Sequence, residues 1–437
     1  MIRSHSLAIV AGALALAACG EATPPQPCTE GGTGTLSVTM SGLPAGPGAT
    51  VTITGPGGSF DVITSSSLPG LATGLYTVSA TLAVVSDSLV STAYAASSLP
   101  TSVCLRETGA TLTAAYTKVP TSGALWYGAG FYSLGFTTAQ LQTTATLAPS
   151  VTAGTRGGAG LTFDRSGNVW LRGQSSSDPA IMRYSAASLS ATGNPTPDRS
   201  IGVAGLNCVG PGALAFDPSG NLWMSIGCQG RIVRIDKAQL TGSTVVSPSV
   251  QITGLVNPQG IAFDGAGNLW VADQTHLRRY DEARLSATIT TAANLSVTFT
   301  TPTPPAPGVT TLLAFHLAFR PNGELLVSSY EQNVLFRVES ATRSATGTVA
   351  ATPVRLVYLN QFSFPKGFAF DNAGGLWVGT EQSKFVRVSP SQLGTNSTPG
   401  APTVPQRTIA SSSILGFGDD IAIFPAATGT PLYHRVP

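Results

Sequence analysis

A chain of 437 residues is long enough for two or three domains, and 42% hydrophobic against 10% charged residues supplies ample material for buried cores. A net charge of +2 without any basic run excludes the electrostatic footprint of a nucleic-acid binder or of a site for an anionic membrane surface.

The first predicted element is a leader. Arg3 and His5 precede an apolar stretch from Leu7 to Ala18 that is too short to span a bilayer as a permanent helix, so it reads as a signal-peptide core. It runs into Leu16-Ala17-Ala18-Cys19, which resembles the bacterial lipobox. The resemblance implies that residues 1–19 are a lipoprotein signal peptide with its lipobox cysteine, and that lipidated Cys19 becomes the mature N-terminus and holds the protein to a membrane. Two or three acyl chains on one residue anchor stably where a single chain is marginal. Gly20 follows, and by resemblance to the enterobacterial sorting rule a residue other than Asp there implies the outer membrane of a cell envelope. Residues 20–32, with Pro24, Pro25 and Pro27, read as an extended tether.

Over 33–118 the pattern changes to short alternating runs, Thr35–Met40, Thr50–Thr54, Gly74–Ala80 and Ala110–Tyr116, separated by Gly/Pro turns, which predicts a small antiparallel sandwich. Gly42-Leu43-Pro44, the Ile53-Thr54-Gly55-Pro56 turn and Leu71-x-x-Gly74-Leu75-Tyr76-x-Val78 resemble the prealbumin-like carboxypeptidase-regulatory and surface-protein accessory domains. That resemblance implies a spacer or adhesion unit. With Cys19 taken by lipid, four cysteines remain, an even number in a compartment that permits disulfides. Cys28 and Cys104 bracket this unit, and Cys208 and Cys228 bracket one hairpin further on, so these are the favoured pairs among three possible pairings. No Cys-x-x-Cys or His pair accompanies them to suggest a metal.

From residue 119 onward one phrase recurs. Trp170, Trp223, Trp270 and Trp377 each close Phe-Asp-x-x-Gly-x-Leu/Val-Trp, with a degenerate copy at Phe319–Leu326 and a fragment at Leu125-Trp126. The markers Phe163, Phe216, Phe263, Phe319, Phe370 and Ile423 step by 53, 47, 56, 51 and 53 residues, a period of propeller blades. In the copy at 258–285, strand a is expected at Gly260–Asp264, b at Asn268–Asp273, c at His276–Asp281, then a helical turn to Leu285. An outer strand d recurs near 147–153, 197–203, 248–253, 295–300, 353–358 and 404–410. Asp217, Asp264 and Asp371 sit where a tight turn needs a side-chain acceptor, and turn capping accounts for them better than calcium. The Ser/Thr/Pro-rich stretch 286–311 otherwise reads as a long rim loop available to a partner.

The fold class that follows is all-β, a six-bladed propeller of four-stranded blades over 119–437 preceded by the sandwich. The aromatic slot fills the wedge between blades. The chain opens at Gly123–Trp126 with the b–c–d part of a blade, and its a strand appears only at Asp419–Ile423, so both termini close the ring. Strand b of that blade is either Leu125–Gly128 or Leu432–Arg435, the latter within a sixth copy whose turn is two residues longer.

The phrase Pro-x-Gly-Ile-Ala-Phe-Asp-x-x-Gly-Asn-Leu-Trp-Val, best preserved at 258–271 and 365–378, resembles the NHL-repeat, streptogramin-lyase and gluconolactonase-like six-bladed propellers. Propellers host binding, scaffolding and several chemistries. The starts of the a strands, nearest the axis, hold Gly160, Ala213, Gly260, His316, Gly367 and Asp420; the large polar residues His316 and Asp420 depart from the small ones expected there. The ends of the b strands add Arg172, Asp273, Tyr330, Glu381 and His434, with Lys366 and Asp419 beside the a strands. The resemblance implies that such positions hold a divalent cation, magnesium or calcium, on the axis, with His316 and Asp420 as ligands. The alternatives are a buried, hydrogen-bonded His316 and an Asp420 carboxylate accepting backbone N–H bonds. The reading as a whole is a lipid-anchored envelope protein whose propeller binds a protein, glycan or small ligand, with no resident cofactor. The alternative is a metal-assisted lyase or lactonase, and a third reading is a spacer without a pocket.

Overall fold

The computed structural model describes residue 28 and residues 31–430, except 47, 174, 176–177, 209–211, 301–310, 354, 360–363, 381–383, 413–417 and 428–429. The expected leader with Cys19, most of the tether, Glu381, His434 and the segment 432–435 lie outside the described residues, as does the side chain of Asp419.

Residues 33–118 form two packed sheets. One has the order Ser66–Ala72, Thr33–Ser41, Ala110–Lys118, Thr92–Ser98, Ala83–Val85; the other runs Gly58–Val62, Val51–Gly55, Gly74–Ala80, Ser102–Leu105. Alternation in each strand sends Leu36, Val38, Val51, Ile53, Tyr76 and Leu112 into one core. The expectation of a purely antiparallel unit is corrected at one place. Thr33–Ser41 and Ala110–Lys118 pair in parallel, Leu36 opposite Ala110. The first and last strands of the unit therefore start at one end of the sandwich and finish together at the other. Cys28 is bonded to Cys104 at the starting end, where Arg106 also lies against Gly34.

Six further sheets, each built on four antiparallel strands, are the blades. Blade 1 joins Gly418–Phe424, Ala124–Ala129, Tyr132–Thr137 and Val151–Gly154. The open choice for its strand b is thereby resolved: Ala124–Ala129 pairs with the C-terminal strand, Ala124 opposite Phe424 and Gly128 opposite Asp420. Strand a of blades 2 to 6 is Ala159–Phe163, Leu214–Phe216, Pro258–Phe263, His316–Phe319 and Phe368–Phe370. The outer strands fall at 151–154, 199–203, 250–252, 295–300, 356–358 and 407–410, close to the predicted positions.

The recurring phrase performs the same task in each full copy. Its glycine takes a left-handed conformation, φ +77° at Gly167, +92° at Gly220, +84° at Gly267 and +74° at Gly374, which side chains resist. Its aspartate caps the turn with one oxygen and accepts the tryptophan indole N–H with the other, at 2.9 Å for Asp264 Oδ2 and Trp270 Nε1 and 3.0 Å for Asp371 Oδ2 and Trp377 Nε1. The indole then wedges against the phenylalanine of the following blade, Trp170 on Phe216, Trp223 on Phe263 and Trp270 on Phe319, with ring centroids 5.8–6.2 Å apart. Emptying one such slot to alanine costs about 3–5 kcal/mol. An arginine of strand c lies over the ring, Arg183 on Trp170, Arg234 on Trp223 and Arg279 on Trp270. In blade 6 the equivalent Arg387 instead makes a buried ion pair with Asp371, Nε to Oδ2 2.6 Å.

The rim carries bonds that blade periodicity alone does not predict. Each outer strand also pairs with the next blade: Ala153 with Gly193, Gly202 with Val245, Ile252 with Ile289, Leu295–Phe299 with Gly347–Ala351, and Ala145 with Ile409 around the closure. At the remaining seam Ser397 and Thr403 donate their N–H groups to Leu356 and Tyr358 carbonyls.

The strands define two faces. A mouth face carries the starts of the a strands and the b–c turns; a base face carries the a–b turns. Cys208 and Cys228 are bonded on the mouth face, tying the loop before strand a of blade 3 to that blade's b–c turn. The sandwich meets the base face. Leu89 and Val90, from the loop 86–91, are buried with Leu125, Trp377 and Phe385. Asn372, in an a–b turn, bonds Leu89 O, Asp87 O and Ser91 Oγ, and Thr121 Oγ1 donates to Gly167 O. Among the described residues no helix is long and apolar enough to cross a membrane. The two disulfides mark a protein that folds outside the reducing cytoplasm.

Candidate functional site

The a strands converge on the axis, and their small residues are a steric requirement. A Cβ added at Gly260 would lie 2.8 Å from His316 Cα, and one at Gly367 would lie 2.4 Å from Asp420 Cα. The two glycines thus make room for the two large polar residues that face each other across the channel. His316 Nε2 and Asp420 Oδ1 are 3.6 Å apart.

This pair sits where two cavities meet. Toward the base, a cavity of about 80 Å³ is lined mainly by the a strands, Leu161–Phe163, Ala213–Phe216, Ile261–Phe263, Leu317–Phe319 and Phe368–Phe370, with Ala426 and Thr430 of the C-terminal segment. Toward the mouth, a second of about 20 Å³ is bounded by Gly212, Ala213, Gln259, Gly260 and Phe315. His316 and Asp420 line both. By volume the first holds roughly half a dozen waters and the second about one.

The His316 ring meets Phe368 edge to face, and its backbone N–H donates to Ser328 Oγ at 3.0 Å. Burial pulls its pKa down to about 4, so the imidazole is neutral at physiological pH. Asp420 Oδ1 accepts the Ile421 N–H at 2.9 Å, the backbone contact expected of a structural carboxylate.

The other predicted residues separate. Arg172 is buried; Nη1 donates to Ser225 O at 3.0 Å, while Nη2 has no partner among the described residues. Burial draws its pKa down to about 10. Asp273 is corrected from a channel residue to a loop clamp: Oδ1 accepts the Val256 and Asn257 N–H groups and Oδ2 pairs with Arg278 Nε at 2.7 Å. Alternation explains it, since Arg172 stands two residues past its tryptophan and Asp273 three, on the opposite face of the strand. Tyr330 lies in the turn after strand b, stacked on Phe315 with Phe364 beside it, and Lys366 Nζ is 5.5 Å from its ring.

In fold the chain is similar to streptogramin B lyases. A solved streptogramin B lyase structure shares 13% identity at a TM-score of 0.35, covering 54% of this chain and 66% of that one, so the chain spans about two thirds of its length. The selenomethionine-substituted virginiamycin B lyase from Staphylococcus aureus shares 16% at 0.33, covering 54% and 68%. A protein of unknown function from Bacteroides caccae shares 14% at 0.41, covering 68% and 97%. No family model and no curated protein matches the chain.

The divalent cation expected from the resemblance does not fit the described donors. They supply one imidazole and one carboxylate already in contact, one oxygen of which is bonded to a backbone amide, and no group of three His, Cys, Asp or Glu side chains that could hold a metal occurs among the described residues.

Gln259 was not foreseen. It is 6% exposed and lines the smaller cavity; its Nε2 donates to Asn257 Oδ1 at 2.6 Å, while Oε1 has no partner among the described residues. Ser225 also escaped notice: its Oγ accepts the Ala213 N–H at 2.8 Å and donates to Gln259 O at 2.5 Å. A reading of the position two residues past each tryptophan slot, which gives Gly128, Arg172, Ser225, Ala272, Ser328 and Gly379, finds Ser225 and Ser328.

Proposed function

We propose that this is a lipid-anchored extracytoplasmic protein whose propeller binds a small ligand at the mouth of its central channel, in contact with His316, Asp420 and Gln259. The observation that carries this reading is the buried acceptor Gln259 Oε1, left without a partner among the described residues beside the His316–Asp420 pair in the smaller cavity. An unsatisfied buried group costs about 1–3 kcal/mol, and a ligand donor that meets it recovers that cost. The apolar cavity beneath receives a nonpolar part of the same molecule.

The lyase or lactonase reading is favoured by one feature, an imidazole 3.6 Å from a carboxylate at the channel, the pairing of residue types from which a general base is built. Thermal melts separate the two. Wild type and His316→Ala are melted with chelator, with magnesium and with calcium; we expect the same melting temperature for wild type in all three and a loss of about 1–3 kcal/mol in the variant. A resident ion at a hundredfold excess over its Kd would add about 2.7 kcal/mol. A metal-dependent rise in melting temperature that vanishes in His316→Ala would overturn the binding reading in favour of the enzyme.

A further inference from the structure

Three observations fix the direction in which the channel opens. The sandwich docks on the base face, through Leu89 and Val90 buried beside Trp377 and through Asn372 and Gly167, both in a–b turns. His316, Asp420 and Gln259 lie at the starts of a strands, on the other face. The covalent attachment of the preceding chain is at the end of the sandwich remote from the propeller. Cys104 lies six residues before Ala110, and the nine-residue strand Ala110–Lys118 then runs roughly 27 Å to the docking end.

We infer that the channel mouth faces away from the membrane that holds Cys19, and that the ligand of this site is a water-soluble molecule arriving from the compartment rather than a lipid of the anchoring bilayer. The inference rests on the proposal that Cys19 is lipidated. Its geometry follows from chain lengths. Nine residues lead from Cys19 to Cys28, about 30 Å at full extension, and the disulfide moves the effective attachment point to the remote end of the sandwich. The sandwich and the thickness of the disc therefore stand between bilayer and mouth. Buried Leu89, Val90 and Ser91 and the hydrogen bonds of Asn372 hold the two parts in register, so the disc does not swing round to present its mouth to the lipid surface.

Energy transfer tests this on the full chain reconstituted in phosphatidylethanolamine–phosphatidylglycerol vesicles with acceptor-labelled headgroups. A fluorescent amino acid replaces either Glu107, exposed at the remote end of the sandwich, or Val256, 56% exposed on the mouth face. We expect strong transfer from position 107, lost when Cys19→Ala is added, and none from position 256 above that control. Absence of transfer at both positions sinks the anchor and this inference with it. Strong transfer from position 256, with or without transfer from position 107, leaves the anchor standing and overturns the orientation.

Discussion

His316 is the residue at which packing and chemistry compete most directly. Its side chain is 14% exposed, and burial lowers its pKa to about 4, against about 6.5 in an unfolded chain. Between those values the unfolded chain binds a proton that the folded protein refuses. The stability present above about pH 6.5 is therefore lost as pH falls through the window, and the loss ends near pH 4, on the order of 3 kcal/mol in all. His316→Gln should be less stable than wild type at pH 7.5 and gain on it steadily toward pH 4.5 in denaturant titrations. Parallel pH profiles for the two proteins would show that the imidazole is not the group responsible. The pair was legible in the sequence because two large polar residues stood in a slot otherwise filled by Gly and Ala. Gln259 was not, because the residue before that slot varies freely, and nothing in one chain says which side chain will be left without a partner.

At the scale of elements, the blades were readable because one turn recurs with a fixed chemistry: a left-handed glycine, a capping aspartate and an indole bonded to it. What the repeat could not supply was the identity of strand b in blade 1, since Leu125–Gly128 and Leu432–Arg435 are segments of equal length that each open on a leucine followed by an aromatic residue. The pairing of Ala124–Ala129 with Gly418–Phe424 decided it. Removing residues 418–437 deletes strand a of that blade and bares both the edge of Ala124–Ala129 and the apolar seam around Phe163 and Trp126. We expect aggregates in size-exclusion chromatography rather than a five-bladed remnant. A monomeric truncation with a cooperative melt would refute closure by both termini.

For the whole molecule, length and composition announced more than one packed unit but were silent on how the units meet. Leu89 and Val90 are two apolar residues in a loop, with no periodicity to mark them as part of the propeller's interior. The parallel pairing of Thr33–Ser41 with Ala110–Lys118 was equally hidden, because alternation reports which face a residue takes and not the direction of its neighbour.

The bonds along the rim also give the disc a mechanical character. Every outer strand is tied sideways to the blade ahead of it, and the last is tied to the first, so the perimeter behaves as a hoop in tension. A load applied between residues 124 and 424 falls first on the strands Ala124–Ala129 and Gly418–Phe424, and once they part, the hoop is cut and each neighbour loses support on one side. Stretched in an optical trap, the propeller should release its length in one rupture. A ladder of six separate events would show that the blades bear force independently.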